Sequence, residues 1–402
     1  MNKSKNIAII GGGPSGLMAA EIIATAGHNV TLYDRMPSLG RKFLMAGRGG
    51  LNLTHSEPLE IFIRRYKEAS DWLEPHINAF PPEALRAWCE GLGQETFIGS
   101  SGRVFPRSMK AAPLLRAWLQ RLEQLGVRYC GRHSWQGWDG DALIFTNSQE
   151  QITVEPDATL LALGGASWPR LGSDGGWVKI LSEYGVEISP LRPANCGFIA
   201  PWSDYFSTRF AGVPLKPVVL THNGVFHQGE IMITSRGIEG GAVYALSASL
   251  RESIAAEGNT VLQIDLRPGM SLDALTKKLQ VRNNQSLSTY LRKAGFSPPA
   301  IGLLREVIES GQLAKINPDT LAGYLKALPV MLTANTGIMR AISTAGGISR
   351  NAVDEKFMLK AKPGVFAAGE MLDWEAPTGG YLLQGCFSTA VAAAQGVLNF
   401  LE

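Results

Sequence analysis

The stretch from Asn6 to Asp34 limits the fold of this chain more than any other. A short apolar run, Asn6 to Ile10, passes directly into Gly11-Gly12-Gly13-Pro14-Ser15-Gly16. Leu17 to Ala26 is rich in alanine and stops at Gly27, and a second apolar run, Val30 to Tyr33, ends in Asp34. Continuous apolar runs of this length read as buried parallel strands, and the alanine-rich stretch reads as a helix with a glycine stop. Gly11, Gly13 and Gly16 form G-x-G-x-x-G, with Ser15 in the same turn. Gly11 permits the tight turn, Gly13 lets a pyrophosphate approach the backbone, and Gly16 lets the helix lie close to the strand. Free N–H groups at the helix start meet phosphate charge. Asp34 is placed to accept hydrogen bonds from an adenosine ribose. An acid there favours FAD or NAD over NADP, although Arg35 adjoins it. The glycines alone would be weak evidence; strand, helix, strand and terminal acid together make a specific dinucleotide signature.

At 402 residues, the chain exceeds the ~150 of an average domain, so two or three units are expected. The 45 glycines are dispersed, which excludes collagen and implies many tight turns. A net charge of +3 lacks the basic excess of an obligate nucleic-acid binder and leaves a local basic patch open. No run of ~18 apolar residues suggests a membrane span, and the apolar run after Met1 is too short for a signal peptide. Cysteines 89, 130, 196 and 386 are scattered without a C-x-x-C, so neither a zinc ribbon nor a sequence-local redox disulfide is indicated. The expectation is a reduced, cytoplasmic protein.

Further along, helices are expected at Leu59 to Ala69, Pro82 to Gly91 and Ala111 to Leu125. Val127 to Cys130 reads as a strand, and Ala142 to Thr146 with Gln151 to Val154 as a small meander. Thr159 to Leu163 is a buried strand ending in Gly164-Gly165. Gly364 to Glu370 is another, ending in Gly369-Glu370, before Thr378-Gly379-Gly380-Tyr381 opens a last helix, Ser388 to Leu401. Between these ends, Val218 to His222 and Val225 to Glu230 flank Asn223-Gly224, a strong hairpin signal. Ile231 to Thr234 and Val261 to Ile264 add strands. Ser271 to Leu279, Ser286 to Ala294, Ala300 to Ser310 and Asp319 to Ala327 read as helices. His222 and His227 would be diagonal neighbours on the hairpin, and two histidines without a third ligand seldom bind a metal. No metal site is expected.

These glycine-ended strands resemble the signatures of the two-dinucleotide-binding-domain flavoproteins. More narrowly, GRKFLMAGRGGLN, GEIMITSRGIEGG, AGGI and AAGEMLDWEAPTGGYLLQG resemble the BaiN/RdsA flavoprotein family, over most of the chain. The resemblance implies an α/β fold: a discontinuous Rossmann-like FAD-binding domain, residues 1–194 and 336–402, with a β-barrel and helical subdomain inserted at 195–335. It implies bound, non-covalent FAD, with Gly164, Gly165, Gly369 and Glu370 at the cofactor, and Glu370 near the ribityl chain and pyrophosphate. Arg41 and Lys42 resemble cofactor-side residues; plain solvated charges are the alternative. Family members are linked to reduction of an activated C=C bond in steroid acids and in a ribosomal-RNA uracil. Two positions depart from the family pattern. Leu51 stands in Gly49-Gly50-Leu51-Asn52 where a cysteine is common, and Ser235 in Thr234-Ser235-Arg236-Gly237 where a histidine is usual.

A flavin gains negative charge near N1 and O2 on reduction, which a helix N-terminus aimed there would stabilise. Gly379, Gly380, Tyr381 and Leu382 are candidates for those backbone donors. Arg48, Asn52 and Tyr381 are the candidate catalytic residues. Arg48 and Asn52 could polarise a substrate carbonyl; alternatively Arg48 neutralises the pyrophosphate and Asn52 caps a turn. No second G-x-G-x-x-G exists, so NAD(P)H is expected only as a transient reductant. The leading expectation is an FAD-dependent reductase of a conjugated C=C in a small molecule. Reduction of rRNA uridine, with RNA held by Arg103, Arg107, Lys110, Arg116 and Arg121, and a non-catalytic FAD-binding scaffold are the alternatives.

Overall fold

The computed structural model describes residues 4–280 and 285–402. Strand Asn6–Ile10 lies at the centre of a five-stranded sheet. Its neighbours are Asn29–Asp34 and then Arg128–Gly131 on one side, and Ala158–Leu161 and then Val365–Ala367 on the other. All four pairings are parallel. Ile7 pairs with both Val30 and Ala158, so the central strand is covered along both edges and on both faces. This is why it reads as an unbroken apolar run.

Helix Pro14–Thr25 begins three residues earlier than the alanine-rich stretch suggests, with Pro14 in its first turn, where its missing N–H costs nothing. It packs against the C-terminal helix Tyr381–Leu401, and Ala19, Ala20, Ala390 and Ala393 on the two helices are fully buried. The small side chains let the two backbones approach closely. Helix Tyr381–Leu401 is long and apolar enough to cross a membrane by length and composition, contrary to the reading that no segment is. Its most apolar window is 72% buried within the protein, which marks it as a core helix.

The chain folds as two compact units, residues 1–193 with 343–402, and residues 194–342. In the second unit, seven strands form one sheet. Leu328–Leu332 pairs with Thr260–Asp265 at one end, and Ala334–Asn335 pairs with Phe198–Ile199 at the other. Thr333, between them, donates its N–H to Ile199 O at 2.9 Å. One extended segment thus supplies both edges, and the sheet closes into a barrel. The hairpin turns at Asn223 and Gly224, both at positive φ. Ile231 to Thr234 is not a separate strand but the end of Val225–Thr234, because pairing with Pro214–His222 continues past Gly229. His222 is buried, with Nδ1 on Ser249 Oγ at 2.6 Å and Nε2 on Thr260 Oγ1 at 2.9 Å. Among the described residues no group of three side chains could hold a metal.

Candidate functional site

The first unit contains a cleft of 510 Å³ along the carboxyl ends of the parallel strands. That is the position where ligands bind open α/β sheets. Gly11, Gly13, Ser15, Asp34, Arg35, Arg41, Lys42, Gly164 and Glu370 all line it, so the sequence candidates from four separate segments meet here.

Each glycine of the turn has its own cause. A Cβ on Gly11 would lie 2.2 Å from Ala162 O, and φ is +109°. A Cβ on Gly16 would lie 1.9 Å from Gly11 O, which is the close helix–strand contact. A Cβ on Gly13 would meet nothing within 4 Å, so this glycine faces open space that no protein atom explains. Ser15 donates to Cys386 O at 3.1 Å, and a Cβ on Gly369 would strike Ser15 Oγ. The beginning and the end of the chain are therefore joined at the cleft.

Asp34 accepts the Gly12 N–H and the Met36 N–H, each at 2.7 Å. Burial raises its carboxyl above the usual range despite those bonds and the nearby arginines. Arg35 pairs with Asp174 across the rim. Arg41 reaches Ser38 Oγ at 3.2 Å through Nη1, while its buried Nε has no partner. Lys42 is not a solvated charge: its Nζ donates to Glu370 Oε2 at 2.7 Å and to Ser167 Oγ at 2.6 Å. Glu370, buried, also accepts the N–H of Thr344 at 2.9 Å and of Gly165 at 3.4 Å. Gly165 is pressed against Thr344, where a Cβ would lie 2.2 Å from Oγ1. Ser173 Oγ, on the cleft wall, is buried without a partner.

Outside this cleft, but in the same unit, a second group gathers at the start of the C-terminal helix. Gly379 and Gly380 have φ of +132° and +99°, and a Cβ on Gly380 would lie 2.5 Å from Thr54 Cα. The helix start is thus seated on strand Thr54–His55. Its first amides, including those of Tyr381 and Leu382, have no carbonyl within the helix to bond. Asn52 Oδ1 and Thr54 Oγ1, both beside this junction in sequence, are buried without partners. Arg48 is exposed, in the loop that Leu51 N–H anchors to Met109 O at 2.9 Å. Leu51 itself is fully buried in the core, so position 51 presents no group to solvent. Ser235 is exposed in the turn between barrel strands Val225–Thr234 and Gly237–Glu239.

Tyr381, one of the candidate catalytic residues, stands at the start of the C-terminal helix. Its ring is buried and its hydroxyl donates to Glu57 Oε1 at 2.6 Å. Glu57 holds Arg65 in a two-toothed pair, at 3.0 and 2.7 Å, and His55 stacks on the Tyr381 ring. Burial, then the bond to Glu57, raise the phenol well above its ordinary value, so it stays protonated. Glu57, Arg65, Ser173 and Thr344 were not marked by sequence reasoning. Glu57 lies two residues beyond His55 in the same motif, but nothing local signals its tertiary partner.

Of the residues in the candidate RNA strip, Arg107 pairs with Glu95 and Arg121 with Glu21. Burial pushes the thiols of Cys89 and Cys386 up to about 12 and also raises that of Cys130.

The family model described as HI0933-like protein Rossmann domain matches residues 5–396. The chain is 26% identical to ribosomal RNA dihydrouridine synthase of Escherichia coli (strain K12), over 97% of each protein. It is 24% identical to 3-dehydro-bile acid delta(4,6)-reductase of Clostridium scindens, over 97% of this chain and 98% of that protein. The crystal structure of 3-ketosteroid delta1-dehydrogenase from Sterolibacterium denitrificans shares the fold, with a TM-score of 0.55 and 10% identity, over 98% of this chain and 99% of that one. With its matched span reaching from the first strand into the last helix, the chain belongs to the HI0933-like Rossmann family of FAD-binding flavoprotein oxidoreductases.

Proposed function

We propose that this protein is an FAD-dependent reductase of a C=C bond conjugated to a carbonyl group, recharged by NAD(P)H. The observation that carries the proposal is the open face of Gly13 in a cleft that also holds Asp34, Lys42 and Glu370. A Gly-rich turn with nothing in front of it, a helix N-terminus and an acid on the next strand fit an adenine dinucleotide. The orphan Nε of Arg41 and Oγ of Ser173 add polar groups ready for a ligand.

In this reading the helix start at Gly13 and Pro14 holds the pyrophosphate, and Asp34 accepts from the ribose. Lys42 and Glu370 bind each other and keep the cleft wall in register with strand Ala158–Leu161 and its Gly164-Gly165 end. Bound FAD supplies hydride chemistry. The first amides of helix Tyr381–Leu401 stabilise negative charge beside that helix start. Arg48 and Asn52 donate to the substrate carbonyl, so that the developing enolate oxygen is neutralised while the conjugated carbon gains hydride. With Leu51 and Ser235 at the two positions that depart from the family pattern, the second carbon would take its proton from solvent water.

The relatives support the class of chemistry rather than one substrate: one is a delta(4,6)-reductase of 3-dehydro-bile acid and the other a dihydrouridine synthase of ribosomal RNA. Purified protein given FAD should show oxidised-flavin absorbance that bleaches anaerobically with NAD(P)H and returns on adding a conjugated enone. A protein that never retains FAD defeats the cofactor reading; a flavin that stays oxidised defeats the reductant. The second reading, uridine reduction in ribosomal RNA, is favoured by the full-length likeness to the Escherichia coli enzyme. Unchanged dihydrouridine in rRNA from a deletion strain removes it.

A further inference from the structure

The second unit carries a groove that the proposed reduction does not use. Its volume is 270 Å³, just under the roughly 300–1,000 Å³ of drug-sized ligand pockets. Helix Asp204–Phe210 packs onto helix Pro298–Val307 at Gly302, where a Cβ would lie 2.6 Å from the Phe210 ring and 3.0 Å from the Phe206 ring. That contact makes an aromatic floor. Three arginines stand around it: Arg209, Arg292 and Arg305.

None of the three is paired with a carboxylate among the described residues. The one carboxylate in the groove, Glu306, has both oxygens engaged by Ser203, through its N–H and its hydroxyl, each at 2.7 Å. Two of the arginines are held in place by one residue. Arg305 donates to Ser288 Oγ at 2.9 Å, and Arg292 to the Ser288 carbonyl at 3.3 Å. Arg209 lies over the Tyr205 and Phe210 rings, 5.7 Å from each centroid. Tyr205 is nevertheless 61% exposed.

Guanidinium groups that converge without a counter-charge are suited to phosphate, which they bind in planar, two-toothed fashion. An exposed aromatic ring beside them supplies a stacking platform that accepts any base. A volume of this size takes one nucleotide unit and not a larger body. We propose that this groove binds a single nucleic-acid strand, with a phosphate between Arg292 and Arg305 and a base on Tyr205. The proposal stands on the second unit alone and holds whichever substrate the flavin reduces.

The test is fluorescence anisotropy of a labelled short single-stranded RNA with the full-length protein, across about 50–200 mM salt. Each phosphate contact in a single strand contributes roughly 0.7 to the slope of log affinity against log salt. The triple variant Arg209→Gln, Arg292→Gln, Arg305→Gln should lower that slope by about 0.7, the share of the one phosphate held between Arg292 and Arg305. Tyr205→Ala, a single exposed change that leaves the fold intact, should weaken binding about 5- to 150-fold. The matching DNA strand, as a second arm, tells which single strand the groove takes. Wild-type protein that binds no strand, an unchanged slope, or equal binding of a duplex overturns the proposal. So does uridine monophosphate that competes as well as the strand, because the groove is then a free-nucleotide pocket. Bleaching of FAD by NAD(P)H in the same variants reads the reductase proposal separately.

Discussion

The Tyr381 hydroxyl donates to Glu57 Oε1 at 2.6 Å, tying the start of the C-terminal helix to the loop after strand Thr54–His55. Burial alone would raise the Glu57 carboxyl, but the bonds from Arg65 and Tyr381 outweigh it and hold the group below its ordinary value. A depressed carboxylate contributes stability that is complete above about pH 4.3 and is lost as pH falls through the folded value. Tyr381→Phe removes one donor to a charged acceptor, so stability at neutral pH should drop by about 1–3 kcal/mol. The variant should also lose less than the native protein on acidification. Urea denaturation on either side of about pH 4 measures both effects. An unchanged acid response would show that Arg65 alone sets the Glu57 charge.

Lys42 and Glu370 form a second tie between distant segments, at 2.7 Å, with the Glu370 side chain only 7% exposed. Lys42→Met leaves Glu370 buried with two backbone donors and no counter-charge. Losing one partner of such a pair costs about 3 kcal/mol, somewhat less here because Lys42 reaches solvent. Adding Glu370→Gln should recover part of that loss, giving a coupling of about 1–3 kcal/mol in a double-mutant cycle. Additive single effects would mean that the pair does not act as a unit.

The parts of this fold that local sequence declares are those where one face or one period decides the element. Asn6–Ile10 and Ala158–Leu161 are covered on both faces, so their apolar runs are unambiguous. Helix Ser70–Ala79 was hidden by Pro75 inside it. Helix Ser247–Glu257 buries only Ser247, Leu250 and Arg251, and so shows no apolar stripe to read. Strand Ser134–Asp139 shifts register against Ala142–Thr146 between Trp135 and Gly137, which breaks its alternation. The site divides in the same way. Gly11, Gly16 and Asp34 follow from a motif whose spacing is itself the geometry. Glu57, Arg65 and Thr344 act through partners that the fold alone brings near, and no spacing encodes them. Leu51 reads as a missing thiol in sequence, and the fold packs its side chain fully into the core.

His76 is a buried base packed on Phe357, with ring centroids 4.5 Å apart. Burial, helped by Lys356 and Arg350, lowers it to about 4. Unfolded, it would titrate near 6.5. Between those values the unfolded chain binds the extra proton, so stability falls as pH drops through this window. From pH 7 to pH 5 the group should remove about 2 kcal/mol. His76→Phe, which cannot take up the proton, should lose about that much less over the same interval in paired denaturation curves. Parallel curves for the two proteins would refute the assignment.

Gly11 and Gly13 separate folding from ligand binding, two residues apart. Gly11→Ala puts a methyl 2.2 Å from Ala162 O at a φ of +109°, so the turn itself must break. Gly13 has φ −83° and ψ −176°, which alanine adopts freely, and its methyl would meet nothing within 4 Å. As the helix N-cap, Gly13→Ala should cost under about 1 kcal/mol of stability. If a pyrophosphate lies against Gly13, the methyl occupies the place of a phosphate oxygen, and FAD affinity should fall at least about tenfold, or about 1.4 kcal/mol. Thermal unfolding of the FAD-free variant and flavin fluorescence titration together make the measurement. A variant that folds normally and still takes up FAD as tightly as the native protein would place the nucleotide elsewhere, whatever the rest of the motif resembles.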